Sequence, residues 1–116
     1  PVGCARDPDN LPRLMFDADI AITSTGTVVY ELLGLQTPFI GIPQITNQVL
    51  ISNSLETQDL AYILKKQAPR ERVTTALDDF LADTELRRRF HQRGPTVVDG
   101  RGTSRLADQV VDLSTR

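Results

Sequence analysis

A single cysteine, Cys4, rules out an internal disulfide and any zinc site built on several thiolates. The one histidine, His91, has no acid–base partner beside it and reads as a surface residue. Charge of either sign is barely in excess: 13 Lys and Arg stand against 15 Asp and Glu, a net of −2. No sequence-wide field therefore holds the chain on nucleic acid or an anionic membrane. No apolar run is long enough to cross a bilayer, and the first residues lack a signal peptide's basic-then-apolar order. The phosphate loops G-x-G-x-x-G and G-x-x-x-x-G-K-[ST] are both missing, which disfavours a generic dinucleotide or P-loop module. Asp78, Asp79 and Asp83 lie among helix-forming and apolar residues and read as an acidic edge, so neither metal nor cofactor is expected.

With 40% hydrophobic and 24% charged residues, the 116-residue chain has the composition of one globular domain. The lone thiol suits a reducing, cytoplasmic setting. The opening Pro-Val-Gly points to a piece of a longer protein.

Pro8 and Pro12 delay helix formation, and a short helix is expected from about Leu11 to Phe16. The run Ala18–Thr23 is short, β-branched and bounded by turn residues, so it reads as a buried strand. From Thr27 the apolar residues Val28, Leu32 and Leu35 follow helical spacing until Pro38 stops them. Phe39–Ile42 is a second apolar strand closed by Pro43, completing a βαβ unit with parallel strands. Downstream, a helix is expected from Asn47 to about Glu56, with Val49, Leu50, Asn53 and Ser54 on a mixed face. Leu60–Leu64 is a third strand, and helices follow over Arg70–Leu81, Thr84–Arg93 (ended by Gly94-Pro95) and Thr103–Leu113. Leu106, Val110 and Leu113 form the last helix's apolar stripe. Three strands alternating with helices make an α/β fold, a Rossmann-like parallel sheet with flanking helices. Residues 1–116 are expected to be a single, partial domain.

The polar loop Ser24-Thr25-Gly26-Thr27 joins the C-terminal end of a strand to the start of a helix. That is where open α/β sheets bind ligands, and backbone N–H groups at a helix start suit a phosphate. Gly26 admits close approach, while Ser24, Thr25 and Thr27 add hydroxyls. The alternative is that Ser24 or Thr25 merely caps the helix. Glu31, one turn further on, can accept two hydrogen bonds from a ribose diol, or it is a solvated helix carboxylate. Asn47 and Gln48 follow the second strand and either contact sugar and phosphate or serve the next helix's N-terminus. The run Arg87-Arg88-Arg89 spreads around a helix and reads as a solvated face.

The stretch ADIAITSTGTVVYELLGLQTPFIGIPQITNQ resembles the C-terminal domain of GT-B-type, family 28-like glycosyltransferases related to the peptidoglycan N-acetylglucosaminyltransferase. It is more similar still to the pseudaminic-acid-pathway UDP-sugar hydrolases and the spore-coat polysaccharide glycosyltransferase group. The later stretch VVDGRGTSRLADQVVDL resembles the Asp-Gly-x-Gly-x-x-Arg segment that ends the hydrolase-like group. Together they cover roughly two thirds of the chain. The resemblance implies a UDP-sugar donor, with Ser24, Gly26 and Thr27 on its diphosphate, Glu31 on its ribose, and Asn47 and Gln48 near diphosphate and sugar. The Gly26-to-Glu31 interval is one residue shorter than in the peptidoglycan enzyme, which favours the hydrolase-like branch. Gln36 stands where the family usually has glycine, so the Leu35–Pro38 turn is expected to differ.

The resemblance further implies a missing N-terminal domain, which in that family carries the acceptor site and catalytic base. The reading is thus the donor-binding part of a UDP-sugar glycosyltransferase or hydrolase. Its rival is a stand-alone, non-catalytic binding subunit that works with a partner chain. Because the resemblance implies that the family's early strands are absent, Asp19–Thr23 or Phe39–Ile42 is expected to lack a neighbour, with self-association as the consequence and a stable monomer as the alternative.

Overall fold

Pro38 divides two apolar segments that return to lie side by side. In the computed structural model, which describes residues 2–115, these are strands β1 (Ala21–Thr23) and β2 (Phe39–Gly41), joined by helix α2 (Val28–Gly34). Helix α1 (Leu11–Asp17) precedes them; α3 (Thr46–Thr57), β3 (Tyr62–Ile63), α4 (Arg70–Ala82), α5 (Thr84–Val97) and α6 (Gly102–Ser114) follow. The three strands form one parallel sheet in the order β1-β2-β3. This is the α/β, Rossmann-like arrangement expected. β2 pairs on both sides, Ala21 with Phe39 and Ile40 with Tyr62, so of the two strands expected to lack a neighbour it is β1, at the sheet edge among the described residues, and not Phe39–Ile42.

Alternation along β2 builds two cores. Phe39 packs with Met15, Val29, Leu32, Leu33, Leu55 and Leu60, placing α1, α2 and α3 on one face. Ile40 packs with Leu64, Ala76, Phe80 and Phe90, placing α4 and α5 on the other. Along α3 the packed side holds Ser52 and Leu55 while Leu50 is 77% exposed, so the mixed face read from the sequence is displaced.

β1 and β3 start later than their apolar runs because helix ends claim the first residues, whereas β2 starts at Phe39 and stops one residue short, at Gly41. Ala18 closes α1, its N–H bonding to the carbonyls of Leu14 and Met15. After α2, the N–H of Gln36 bonds to Leu33 and that of Thr37 to Leu32 at 3.2 and 3.0 Å. After α3, the N–H of Asp59 bonds to Glu56 and that of Leu60 to Leu55 at 3.1 and 2.9 Å. Both are Schellman closures, which normally place glycine in the left-handed region. Here that residue is Gln36 (φ 64) or Asp59 (φ 59), and each uses its side chain to hold α5. Asp59 accepts from Arg89 with both carboxylate oxygens, and Gln36 Nε2 donates to the His91 carbonyl at 3.0 Å.

That last bond explains a misread boundary. Gly94-Pro95 was expected to end the helix near Arg93, yet α5 runs through to Val97. Pro95 has no N–H for the His91 carbonyl one turn earlier, which ordinarily breaks a helix. Gln36 supplies the missing donor, and His91 Nδ1 meets the Gln36 carbonyl at 2.9 Å in return. Gly94 is no stop signal either. A Cβ there would lie 2.3 Å from the Leu33 carbonyl oxygen, so glycine lets α5 cross closely over α2.

The arginine run is likewise more than a solvated face. Arg87 donates to two carbonyls in the last turn of α4, that of Leu81 and that of Phe80, which also accepts the Asp83 N–H, and Arg88 pairs with Glu85. Helix α6 forms as expected but buries nothing: Leu106, Val110 and Leu113 are 66%, 59% and 63% exposed. Among the described residues no helix is long and apolar enough to cross a membrane.

Candidate functional site

Parallel pairing brings the carboxyl ends of all three strands to one edge, so the segments leaving β1 and β2 emerge as neighbours. The Ile42 N–H extends the ladder by bonding to the Thr23 carbonyl at 2.9 Å, just before Ser24–Thr27 begins. Thr27 is the N-cap of α2, and no side chain caps that helix, so the capping alternative for Ser24 and Thr25 is corrected. Thr25 is fully buried instead. Its hydroxyl donates to the Gln48 carbonyl at 3.2 Å and accepts from Ser52 Oγ at 2.7 Å, fastening the loop to α3. A buried threonine with both roles filled positions its neighbours and is not itself open to a ligand.

Gly26 and Gln48 face one another across this junction. A Cβ on Gly26 would sit 3.6 Å from Gln48 Nε2, an ordinary contact, and the residue is not in the left-handed region. Nothing in the chain itself demands glycine there. Gln48 Oε1 accepts the Gln44 N–H at 2.9 Å, which orients the side-chain amide with its NH2 toward Gly26. Asn47 is exposed one residue earlier, and α3 has no side-chain cap, so neither amide serves as its N-cap. The structure thus gathers Ser24, Thr25, Gly26, Thr27 and Gln48 at one corner.

Glu31 lies one turn past Thr27 on the same side of α2 and is exposed. It borders a cleft of about 610 Å³ with Tyr30, Gly34, Val98, Asp99 and Gly100, which the loop residues do not line. The far wall of that cleft is the start of the Asp-Gly-x-Gly-x-x-Arg segment, and three of its four fixed residues have a local role. Asp99 Oδ1 accepts the Arg101 N–H at 2.9 Å, Gly100 takes φ 79, and Arg105 pairs with both Asp99 oxygens at 2.8 and 3.1 Å. The hydrogen bond from Arg105, then that from the Arg101 N–H, holds the Asp99 carboxyl at about 2, below its ordinary 3.8.

Over 107 residues the chain is 26% identical to the spore coat polysaccharide biosynthesis protein SpsG of Bacillus subtilis (strain 168). The relation is distant. The match covers 90% of this chain and 32% of that protein, so the chain spans about a third of its relative's length. No family model and no solved structure matches the chain. The shared stretch includes both the Ser24–Glu31 region and the bulk of the helical C-terminal half, since only a tenth of this chain falls outside it.

A larger groove, about 820 Å³, opens where β2 and β3 end, lined in part by Lys65, Lys66 and Arg72. Reading the sequence did not single it out. A Lys-Lys pair after a strand resembles any solvated loop, and the arginine that joins it lies beyond a proline on the next helix.

Proposed function

We propose that this chain is the donor-binding part of a UDP-sugar glycosyltransferase or hydrolase acting in surface polysaccharide or glycan biosynthesis. The observation that carries this reading is the Gly26–Gln48 corner. Glycine there has no steric or conformational cause within the chain, and the Gln48 amide is held facing it at the carboxyl edge of a parallel sheet. A diphosphate seated against Gly26 would meet backbone N–H groups and the Gln48 NH2, with Ser24 and Thr27 hydroxyls beside it. Helix α2 has only seven residues, so hydrogen-bond donors rather than a helix dipole do the electrostatic work. Such donors stabilise the negative charge that develops on a departing UDP without a metal. Glu31, one turn away, is the acceptor for the ribose hydroxyls. The distant relation to a polysaccharide biosynthesis protein supports the same substrate class.

Gly26→Ala is the decisive variant, because the added methyl meets no atom closer than 3.6 Å and leaves the fold intact. UDP titrated into the 15N-labelled chain should shift the amides of Ser24–Glu31 and of Gln48. Gly26→Ala should weaken binding at least roughly tenfold, and Glu31→Ala should lose about 1–3 kcal/mol, the usual worth of hydrogen bonds to a charged group. Unchanged affinity in both variants refutes the reading.

A further inference from the structure

The chain has just two lysines, Lys65 and Lys66, and both stand at the exit of β3. With Arg72 they line the groove of about 820 Å³ between α3 and the start of α4. None of the three forms an ion pair among the described residues, where the pairs belong to Arg13, Arg88, Arg89 and Arg105. Glu56 is the one carboxylate on the lining. Three cations therefore crowd one concave surface, against a single opposing charge, in a chain whose net charge is negative. An anion bound in the groove would relieve the mutual repulsion of the cations that line it.

The loop that carries the lysines is held in place. The Leu64 N–H bonds to the Gly41 carbonyl at 2.9 Å and the Gln67 N–H to the Pro43 carbonyl at 3.1 Å. Gln67 adopts φ 55 to do so, and the Ala68 N–H closes the turn onto Lys65 at 3.1 Å. Val49 and Leu64 give the groove an apolar wall, and Asn53 adds an amide. Its volume lies within the range of small-molecule sites. It opens at the same carboxyl edge of the sheet as the Gly26–Gln48 corner, with α3 between the two: Ser52 lines the groove and donates to Thr25.

We infer that this groove binds a second small molecule bearing a phosphate ester, the phosphate on Lys65, Lys66 and Arg72 and the uncharged part against Val49, Leu64 and Asn53. Arginine's fork and two ammonium groups match a dianion's several oxygens better than a single carboxylate. The inference does not rest on the nucleotide reading, since UDP could fail at Gly26 with these charges unaltered.

Having two lysines makes the test direct. Reductive methylation with 13C-formaldehyde keeps their charge and yields two lysine signals besides that of the N-terminus. Glucose 1-phosphate should shift both saturably, while glucose, and chloride at matched ionic strength, should not. Arg72→Gln should weaken the response roughly tenfold, and Glu56→Gln should strengthen it, with circular dichroism confirming that both variants fold. The inference is overturned if neither signal moves, if chloride moves them equally, or if phosphatidylglycerol vesicles bind while soluble phosphate esters do not.

Discussion

Replacing Gly94 by alanine places a methyl carbon 2.3 Å from the Leu33 carbonyl oxygen and 3.1 Å from its carbonyl carbon. Those are backbone atoms of α2, so no side-chain rotation relieves the contact. The methyl sits about 1 Å inside van der Waals separation, and α5 must lift from α2 or shift along it. Moving it disturbs the Gln36–His91 bonds on the same interface and loosens Phe90 from the second core. Overpacking of this kind costs about 3 kcal/mol, offset by about 1 kcal/mol from alanine's higher helix propensity. A net loss of about 2 kcal/mol is a large part of a small domain's stability. In urea it should lower the transition midpoint by about 1 M with an unchanged slope. Gly34→Ala is the control: its methyl meets Val98 Cγ1 at 3.3 Å and the Val98 carbonyl oxygen at an ordinary 3.8 Å, so a shift of a few tenths of an ångström accommodates it and its midpoint should move little. If Gly94→Ala proves as stable as the parent, the close crossing of α2 and α5 is wrong.

Gln36→Ala should destabilise by about 1 kcal/mol, the usual net worth of one hydrogen bond. The loss should shrink when Pro95→Ala restores an N–H for the His91 carbonyl, and strict additivity in that double-mutant cycle would contradict the substitution of donors. The Asp99 carboxyl is lowered by folding, so its contribution is complete above about 3.8 and vanishes as pH falls through about 2. Carboxyl 13C shifts should therefore give a midpoint near 2 for Asp99, moving up toward the ordinary 3.8 in Arg105→Gln. A midpoint already at the ordinary value in the parent would dissolve the Asp99–Arg105 pairing.

Local signals made the first half of the fold legible. The β-branched run before Ser24 and the apolar run after Pro38 became the paired strands β1 and β2 because turn residues and proline bound them on both sides. What stayed hidden depended on partners distant in sequence. Gly94-Pro95 reads as a helix end unless it is known that Gln36, more than fifty residues earlier, completes the helix. Thr25 reads as a ligand hydroxyl unless Ser52 is known to occupy it. The neighbourhood of Gly26 and Gln48 followed from parallel strands, whereas the cleft under Glu31 required the chain to return at Asp99. In the arginine run only the Glu85–Arg88 pair, three residues apart on one helix, is local, whereas Arg87 and Arg89 act on α4 and on Asp59.

Helix α6 gives the molecule an uneven thermodynamic character. The Cα radius of gyration is 16.2 Å, against about 13 Å for a compact domain of this length. Its 13 residues bury no side chain, and a free helix of that length is marginal in water. The Asp99–Arg105 pair fixes where it starts but is itself solvent-exposed, so it lends direction more than strength. The segment after Asp99 can thus fray and reform while the sheet and α1–α5 remain intact. Global unfolding followed at Phe80 or Phe90 would not sense it, amide exchange would divide the chain near residue 100, and a protease would find its first cut there. A surface that covered Leu106, Val110 and Leu113 would set the persistence of this last element, whose order would then be decided from outside.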